Sequence, residues 1–205
     1  MMKKSLGLSV CLLVLFMPAF CPGAGFGELK DIPLEWRPTN SISSYRAVDM
    51  SVYKKVRLVI VPFSDARKKP AEIGRNVEKK FAAQNMLVTT KDSVPDWLTF
   101  RFARILSDFD LTVVKSEGNL RLEGEVIKFF VTEESTYKAE VSLKVRLKSA
   151  DNKKIWEGMT TGTASRFGSS FSVDNYFEAL SDATISSVHN LLNNNSFLLA
   201  VYKNI

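Results

Sequence analysis

An α+β fold is what this sequence predicts: a mostly antiparallel, twisted sheet with two helices packed on one face. Three observations carry the prediction. First, residues 137–147 alternate without a break. Tyr137, Ala139, Val141, Leu143, Val145 and Leu147 are apolar, and Lys138, Glu140, Ser142, Lys144 and Arg146 between them are polar or charged. Period two over this length means a strand with one face on a core and the other in water. Second, Leu120–Val131 also alternates, but its apolar set moves from even positions (Leu120, Leu122, Val126) to odd ones (Ile127, Phe129, Val131). A phase slip beside Gly124 is the mark of a β-bulge. With a hairpin turn at Asp151-Asn152-Lys153 leading into Lys154–Ala164, residues 119–165 form an antiparallel meander. Third, two further segments repeat their apolar residues at helical spacing.

The chain opens with Lys3 and Lys4, an apolar run within Leu6–Phe20, and small or turn-forming residues through Gly25. Charge, a short apolar stretch and small residues, in that order, form an export signal, because the run is too short to span a bilayer stably. Residues 1–24 are therefore read as a signal peptide, and the mature chain as working outside the cytoplasm. How the signal ends separates two outcomes. A cysteine that receives lipid follows a small residue, whereas Cys21 follows Phe20 and Cys11 follows Val10. These neighbours favour cleavage between Ala19 and Gly25 and a soluble periplasmic protein. Lipid attachment at Cys21, with outer-membrane association, is the alternative.

Both cysteines lie in this region, so no disulfide can brace the folded part and packing must hold it. About 180 residues remain after processing, enough for one domain with its own core. The 45% hydrophobic content is that of an ordinary globular protein. Net charge falls from +6 to +4 when Lys3 and Lys4 are removed. The excess is spread over Lys54/Lys55, Arg67–Lys69, Lys79/Lys80 and Lys153/Lys154, and in an exported protein so mild a basic balance argues against nucleic acid as partner.

Residues 25–55 read as an extended lead-in. Ile32, Leu34 and Trp36 alternate until Pro38 and the polar stretch Thr39–Ser44 break the pattern. A single α+β domain over 56–205 follows. Val56–Phe63 is almost wholly apolar, as a central strand covered on both faces requires. Ser64–Glu72 is a loop, and 73–91 holds two short strands around Val77 and Met86–Thr89. Ser93 then offers an N-cap oxygen, with Pro95 in the first turn and Asp96 three positions on. From there Val94, Leu98, Phe102 and Ile105 form the buried stripe of a helix ending near Asp108, widened by Trp97 and Leu106. Leu111–Val114 is a short strand and Glu117–Asn119 a turn into the meander. After the small-residue loop Gly168–Phe171, a second helix starts at Ser172 or Asp174. Its stripe is Phe177, Leu180, Thr184, Val188 and Leu191, facing the same side of the sheet as the first. Asn193–Asn195 ends it, and Phe197–Tyr202 is an apolar tail that must dock or leave a patch.

Catalytic chemistry is thinly supplied. One histidine and no cysteine in the folded part leave His/Cys metal sites, Cys–His nucleophiles and Ser–His–Asp arrangements without parts. His189 lies one residue off an apolar stripe near a helix C-terminus, where an exposed imidazole is favourably placed. Glu123/Glu125 share a strand face and Glu133/Glu134 fall at a turn, so a carboxylate-based hydrolase would have to draw on them. Asp151-Asn152 hints only weakly at calcium, and no glycine loop cradles a phosphate. No catalytic residue, cofactor or metal is assigned.

Contact residues are easier to name. In Ser64-Asp65-Ala66-Arg67, Asp65 can form an Asx-turn, and Arg67 can reach a carboxylate or the loop's own carbonyls, or an anion or partner outside. Trp36, Trp97 and Trp156 suit packing, with Trp156 on the last strand best placed for an outside contact. The order of motifs resembles the YajG-like lipoproteins of Gram-negative bacteria. It comprises a signal, a strand ending in Pro62-Phe63-Ser64-Asp65-Ala66-Arg67, Ile73-Gly74, a helix, Gly124-Glu125-Val126 in a long strand, a hairpin and a terminal helix. The resemblance runs from about Val56 to Phe197 and implies an envelope lipoprotein without assigned catalysis. The Phe20-Cys21 junction departs from it. The function expected is that of a non-catalytic periplasmic or outer-membrane-associated component. Its open sheet face or Asp65–Arg67 loop would bind an envelope protein or cell-wall component. The alternative is a small-ligand binder for cell-wall fragments or lipids, with a pocket between sheet and helices.

Overall fold

The computed structural model describes residues 29–45, 48–78 and 86–205; the export signal, Cys11 and Cys21 lie outside the described residues. The fold is α+β. Among the described residues one mixed sheet is built from β1 (Arg57–Ile60), β2 (Ser64–Asp65), β3 (Glu72–Asn76), β4 (Leu87–Thr89), β5 (Thr112–Val114), β6 (Leu120–Glu133), β7 (Tyr137–Ser149) and β8 (Lys154–Arg166). The helices are α1 (Val94–Asp108), α2 (Val173–Leu192) and α3 (Asn195–Tyr202).

Strands β6, β7 and β8 form the antiparallel meander. The other edge of β6 is shared by three short strands in succession, all parallel to it. β1 pairs with residues 120–122, β2 with 125–126 and β3 with 131–133. The apolar run Val56–Phe63 is therefore an interrupted strand rather than a continuous one. Val61 still donates to the Leu122 carbonyl at 2.9 Å, but Pro62 has no N–H to give. The chain steps away there, lays the Phe63 ring over Gly124, and rejoins β6 at Ser64. A Cβ on Gly124 would stand 2.7 Å from the Phe63 ring, so this residue makes room for the crossing.

The bulge lies further along than Gly124. Register shifts between Val126 and Lys128, where Val126 faces Leu143 and Lys128 faces Ser142. Ile127 is the extra residue. It and Lys128 both point to solvent, and Phe129 and Val131 then resume the inward face. Ile127 is thus not a core residue, although its apolar side chain made it look like one.

Helices α1 and α2 cover the inward face. Ser93 accepts the Asp96 N–H at 3.3 Å and Pro95 sits in the first turn of α1. The stripe Val94, Leu98, Phe102, Ile105 and Leu106 is buried, with Phe102 edge-on to Phe63 at 5.3 Å. Ser172 occupies the N-cap of α2 without a side-chain cap bond, and Asp174 pairs instead with Arg37 at 2.8 Å. α2 lies so close to β8 that a Cβ on Gly162 would be 2.0 Å from the Ala183 carbonyl oxygen. The apolar tail folds as a third helix. Asn194 caps α3 by accepting the Phe197 N–H at 3.0 Å, and Phe197 and Val201 dock it.

Residues 32–38 of the lead-in form neither helix nor strand, the chain bends at 39–40, and the segment binds across the helices and β4. Leu29 bridges Val88, and Ile32 donates to the Thr89 carbonyl at 2.9 Å. The buried carboxylate of Asp182 accepts from the Thr39 and Asn40 backbones at 2.9 and 3.0 Å and from the Thr39 hydroxyl.

Candidate functional site

With one sheet face under helices, the other is open, and its charges divide it in two. At the Leu120 end, Glu123, Arg146 and Glu157 stand in one row across three strands. Arg146 Nε donates to Glu157 at 2.6 Å and reaches Glu125 at 3.5 Å, while Lys148 holds Glu123. Glu123, Glu125 and Glu157 are thus each tied to a cation. Arg121, beside Lys148 on the same face, adds a positive charge in no ion pair among the described residues.

Toward the hairpin at Glu134–Thr136 the balance changes. Lys128 pairs with Glu140 at 2.7 Å, but Lys138 has no ion-pair partner among the described residues. Arg75 alternates with the core-facing Gly74 and so stands on this face, its buried Nε without a hydrogen-bond partner among the described residues. A depression of about 630 Å³ lies here, lined by Phe130, Lys138 and the hydroxyls of Thr132, Thr163 and Ser165. It shares Lys128 and Phe130 with a second hollow of about 240 Å³, whose far wall is the Arg67–Lys69 loop. Ile127, 42% exposed, lines the second hollow. Sheet face and Asp65–Arg67 loop thereby form one surface, apolar at Ile127 and Phe130, on which Glu140 and Glu72 stand among the basic side chains. Lys68 likewise lacks an ion-pair partner among the described residues.

Arg67 frames this surface from within the loop. Its side chain is only 7% exposed. The guanidinium grips Asp65 with two bonds, at 2.9 and 2.8 Å, and donates to the carbonyls of Pro70 at 2.7 Å and Glu72 at 3.2 Å. Asp65 also accepts the Arg67 N–H at 3.0 Å, closing an Asx-turn. Burial would raise the Asp65 carboxyl, but the hydrogen bonds and charge of Arg67 outweigh it and hold the group below the usual carboxylate range.

The remaining sequence-marked residues lie elsewhere. Trp156 packs edge-on against Phe197 at 5.0 Å and donates to Ser196 at 2.9 Å, so its ring seats α3. His189 is half-buried between Tyr45 and Phe109, at 5.1 and 6.3 Å, rather than exposed. Glu133 ends β6 with 1% exposure instead of lying in a turn. Its oxygens accept the Phe171 N–H at 2.6 Å and the Tyr176 hydroxyl at 2.7 Å, which ties the 168–172 loop down. Burial, then this carboxylate, pushes the Tyr176 phenol far up. The space between sheet and helices is filled by Leu98, Phe102, Val141, Leu143, Leu180 and their neighbours. Among the described residues no group of three or more His, Cys, Asp or Glu could hold a metal ion, and no helix is long and apolar enough to cross a membrane.

Sequence reading missed Ile127, Lys68 and Lys138. The phase slip was the available signal; it marked a bulge without saying which residue the bulge turns outward.

No protein-family model matches the sequence, and no curated protein matches it. Solved structures do. Protein XCC0632 from Xanthomonas campestris, of family DUF330, is 14% identical with a TM-score of 0.52, over 83% of this chain and 95% of that one. A PelC dodecamer from Paraburkholderia phytofirmans is 12% identical with a TM-score of 0.42, over 69% and 86%. Lipoprotein GNA1162 from Neisseria meningitidis is 13% identical with a TM-score of 0.25, over 53% and 83%. The first shows a shared fold; the other two carry no argument.

Proposed function

We propose that this protein is a non-catalytic component of the bacterial cell envelope, akin to the YajG-like lipoproteins. In this reading it is exported to the periplasm, either soluble or held at the outer membrane by lipid at Cys21, and binds another envelope component. The bulged surface of Ile127, Phe130, Lys68 and Lys138 is the contact. Asp65 and Arg67 hold the loop that walls it, and Trp156 seats α3. One observation carries the reading: the bulge at Ile127 turns an aliphatic side chain outward on the open sheet face beside Lys68, and the adjoining depression holds Lys138, neither lysine being in an ion pair among the described residues. Such patches mark interaction sites.

The test is site-specific photocrosslinking in the native host. A photoreactive residue replaces Ile127, and a control replaces Arg104 on the solvent side of α1. A discrete adduct from position 127, lost on Lys68→Glu/Lys138→Glu, supports the reading. Equal adducts from both positions, or none from 127, would sink it.

A further inference from the structure

Helix α3 is apolar on both sides, and the fold uses only one. Phe197 and Val201, four residues apart, face inward, with Phe197 at 6.4 Å from Tyr53 and 5.0 Å from Trp156. Leu199 and Tyr202, three apart and so neighbours on the helix surface, are 57% and 69% exposed. Tyr202 and Ile205 then line a hollow of about 550 Å³ with Ser51, Val52, Lys54 and Lys55. None of these lining residues is acidic. Lys203 caps the helix at the same end. Lys54, Lys55 and Lys203 are exposed, and none is held in an ion pair among the described residues, although Lys54 acts on Asp49 at longer range.

The geometry points to this end of the molecule as a docking surface for an anionic membrane leaflet. Leu199, Tyr202 and Ile205 enter the headgroup boundary, and the three lysines lie over lipid phosphates. Charge complementarity selects this occupant. Aliphatic side chains beside an amphipathic tyrosine, ringed by lysines with long apolar stems, match the layered polarity of a lipid–water boundary. A neutral surface would leave the lysines uncompensated. Three shallow side chains give weak, reversible attachment, so both the apolar and the cationic parts are needed. The site is distinct from Cys21 and from the bulged sheet surface, and it stands without either.

Hydrogen–deuterium exchange on the full chain tests it, because a local readout separates this site from insertion of the apolar leader. The protein is mixed with vesicles of phosphatidylcholine alone, or of phosphatidylcholine with phosphatidylglycerol. Slowed exchange over residues 50–55 and 195–205 is expected only with the anionic vesicles. Lys54→Gln/Lys55→Gln weakens that protection about thirtyfold in lipid concentration, at about 1 kcal/mol for each lysine near the surface. Leu199→Ser/Tyr202→Ser abolishes it while the circular dichroism spectrum is kept. Equal protection by both vesicle types, no protection, or protection by an acidic protein but not by vesicles would each overturn the assignment.

Discussion

Tyr176 donates its hydroxyl hydrogen to a carboxylate, that of Glu133, which no cation accompanies among the described residues; the oxygens stand 2.7 Å apart in a fully buried site. A bond to a buried charged group is worth more than a neutral one, since its loss strands the charge. Tyr176→Phe is expected to destabilise the fold by about 2 kcal/mol. Urea unfolding reads the loss, and an unchanged midpoint would show that Phe171 alone satisfies the carboxylate.

The Asp65–Arg67 grip predicts an acid-sensitive loop. The Asp65 carboxyl is held low in the folded state by Arg67. Its contribution is therefore complete above the unfolded value of about 3.9 and lost as pH falls through the lower folded value. The stability gap between wild type and Asp65→Asn should stay flat above about pH 5 and close as pH falls below about 4. A gap that persists at low pH would assign the loop's stability to something other than this charge.

Gly162 meets backbone, not side chain. A Cβ there would fall 2.0 Å from the Ala183 oxygen and 2.2 Å from the Ser187 nitrogen, so α2 itself would have to move. Gly162→Ala should cost at least about 3 kcal/mol, the upper range for overpacking. At Gly158 the obstacle is a side chain, the Trp156 ring 2.4 Å away, which gives way by loosening its contacts with Phe197 and Ser196 rather than by moving a helix backbone. Gly158→Ala is the control and should cost clearly less in the same denaturation series.

Deleting Ile127 separates fold from surface. Val126 and Lys128 already face consecutive partners on β7, so removal leaves Val126 inward, Lys128 outward and Phe129 inward. Stability should change by about 1 kcal/mol, an ordinary single-residue effect. Crosslinking from a photoreactive residue at Phe130 should fall away with the bulge. Loss of folding would mean instead that the bulge sets the register of the core.

What the sequence made legible follows from range. Alternation in 137–147 and the stripe of Val94, Leu98, Phe102 and Ile105 are written in neighbouring residues, and both elements form where their periods place them. The bulge was legible in kind but not in place, because outward-facing Ile127 has the chemistry of an inward residue. Burial of Glu133 depends on Tyr176, 43 positions away, and no local pattern encodes such a partner. α3 spans eight residues, too few for periodicity to separate a helix from a docked tail. The contact surface was half visible. Loop and sheet face were each marked, yet their union needed β2 to bring Asp65 beside Val126.

Among the described residues strand β8 pairs with β7 alone, so thirteen residues of its outer margin could template another chain. In its middle, however, Asn190 already donates to the Thr161 carbonyl at 2.8 Å, and near its end Arg166 is clasped by Thr39 and Glu178. An incoming strand would meet these occupied points before it could zip along the rest. Pairing along this margin would have to displace the Asn190 amide from the Thr161 carbonyl, which interrupts the margin near its midpoint.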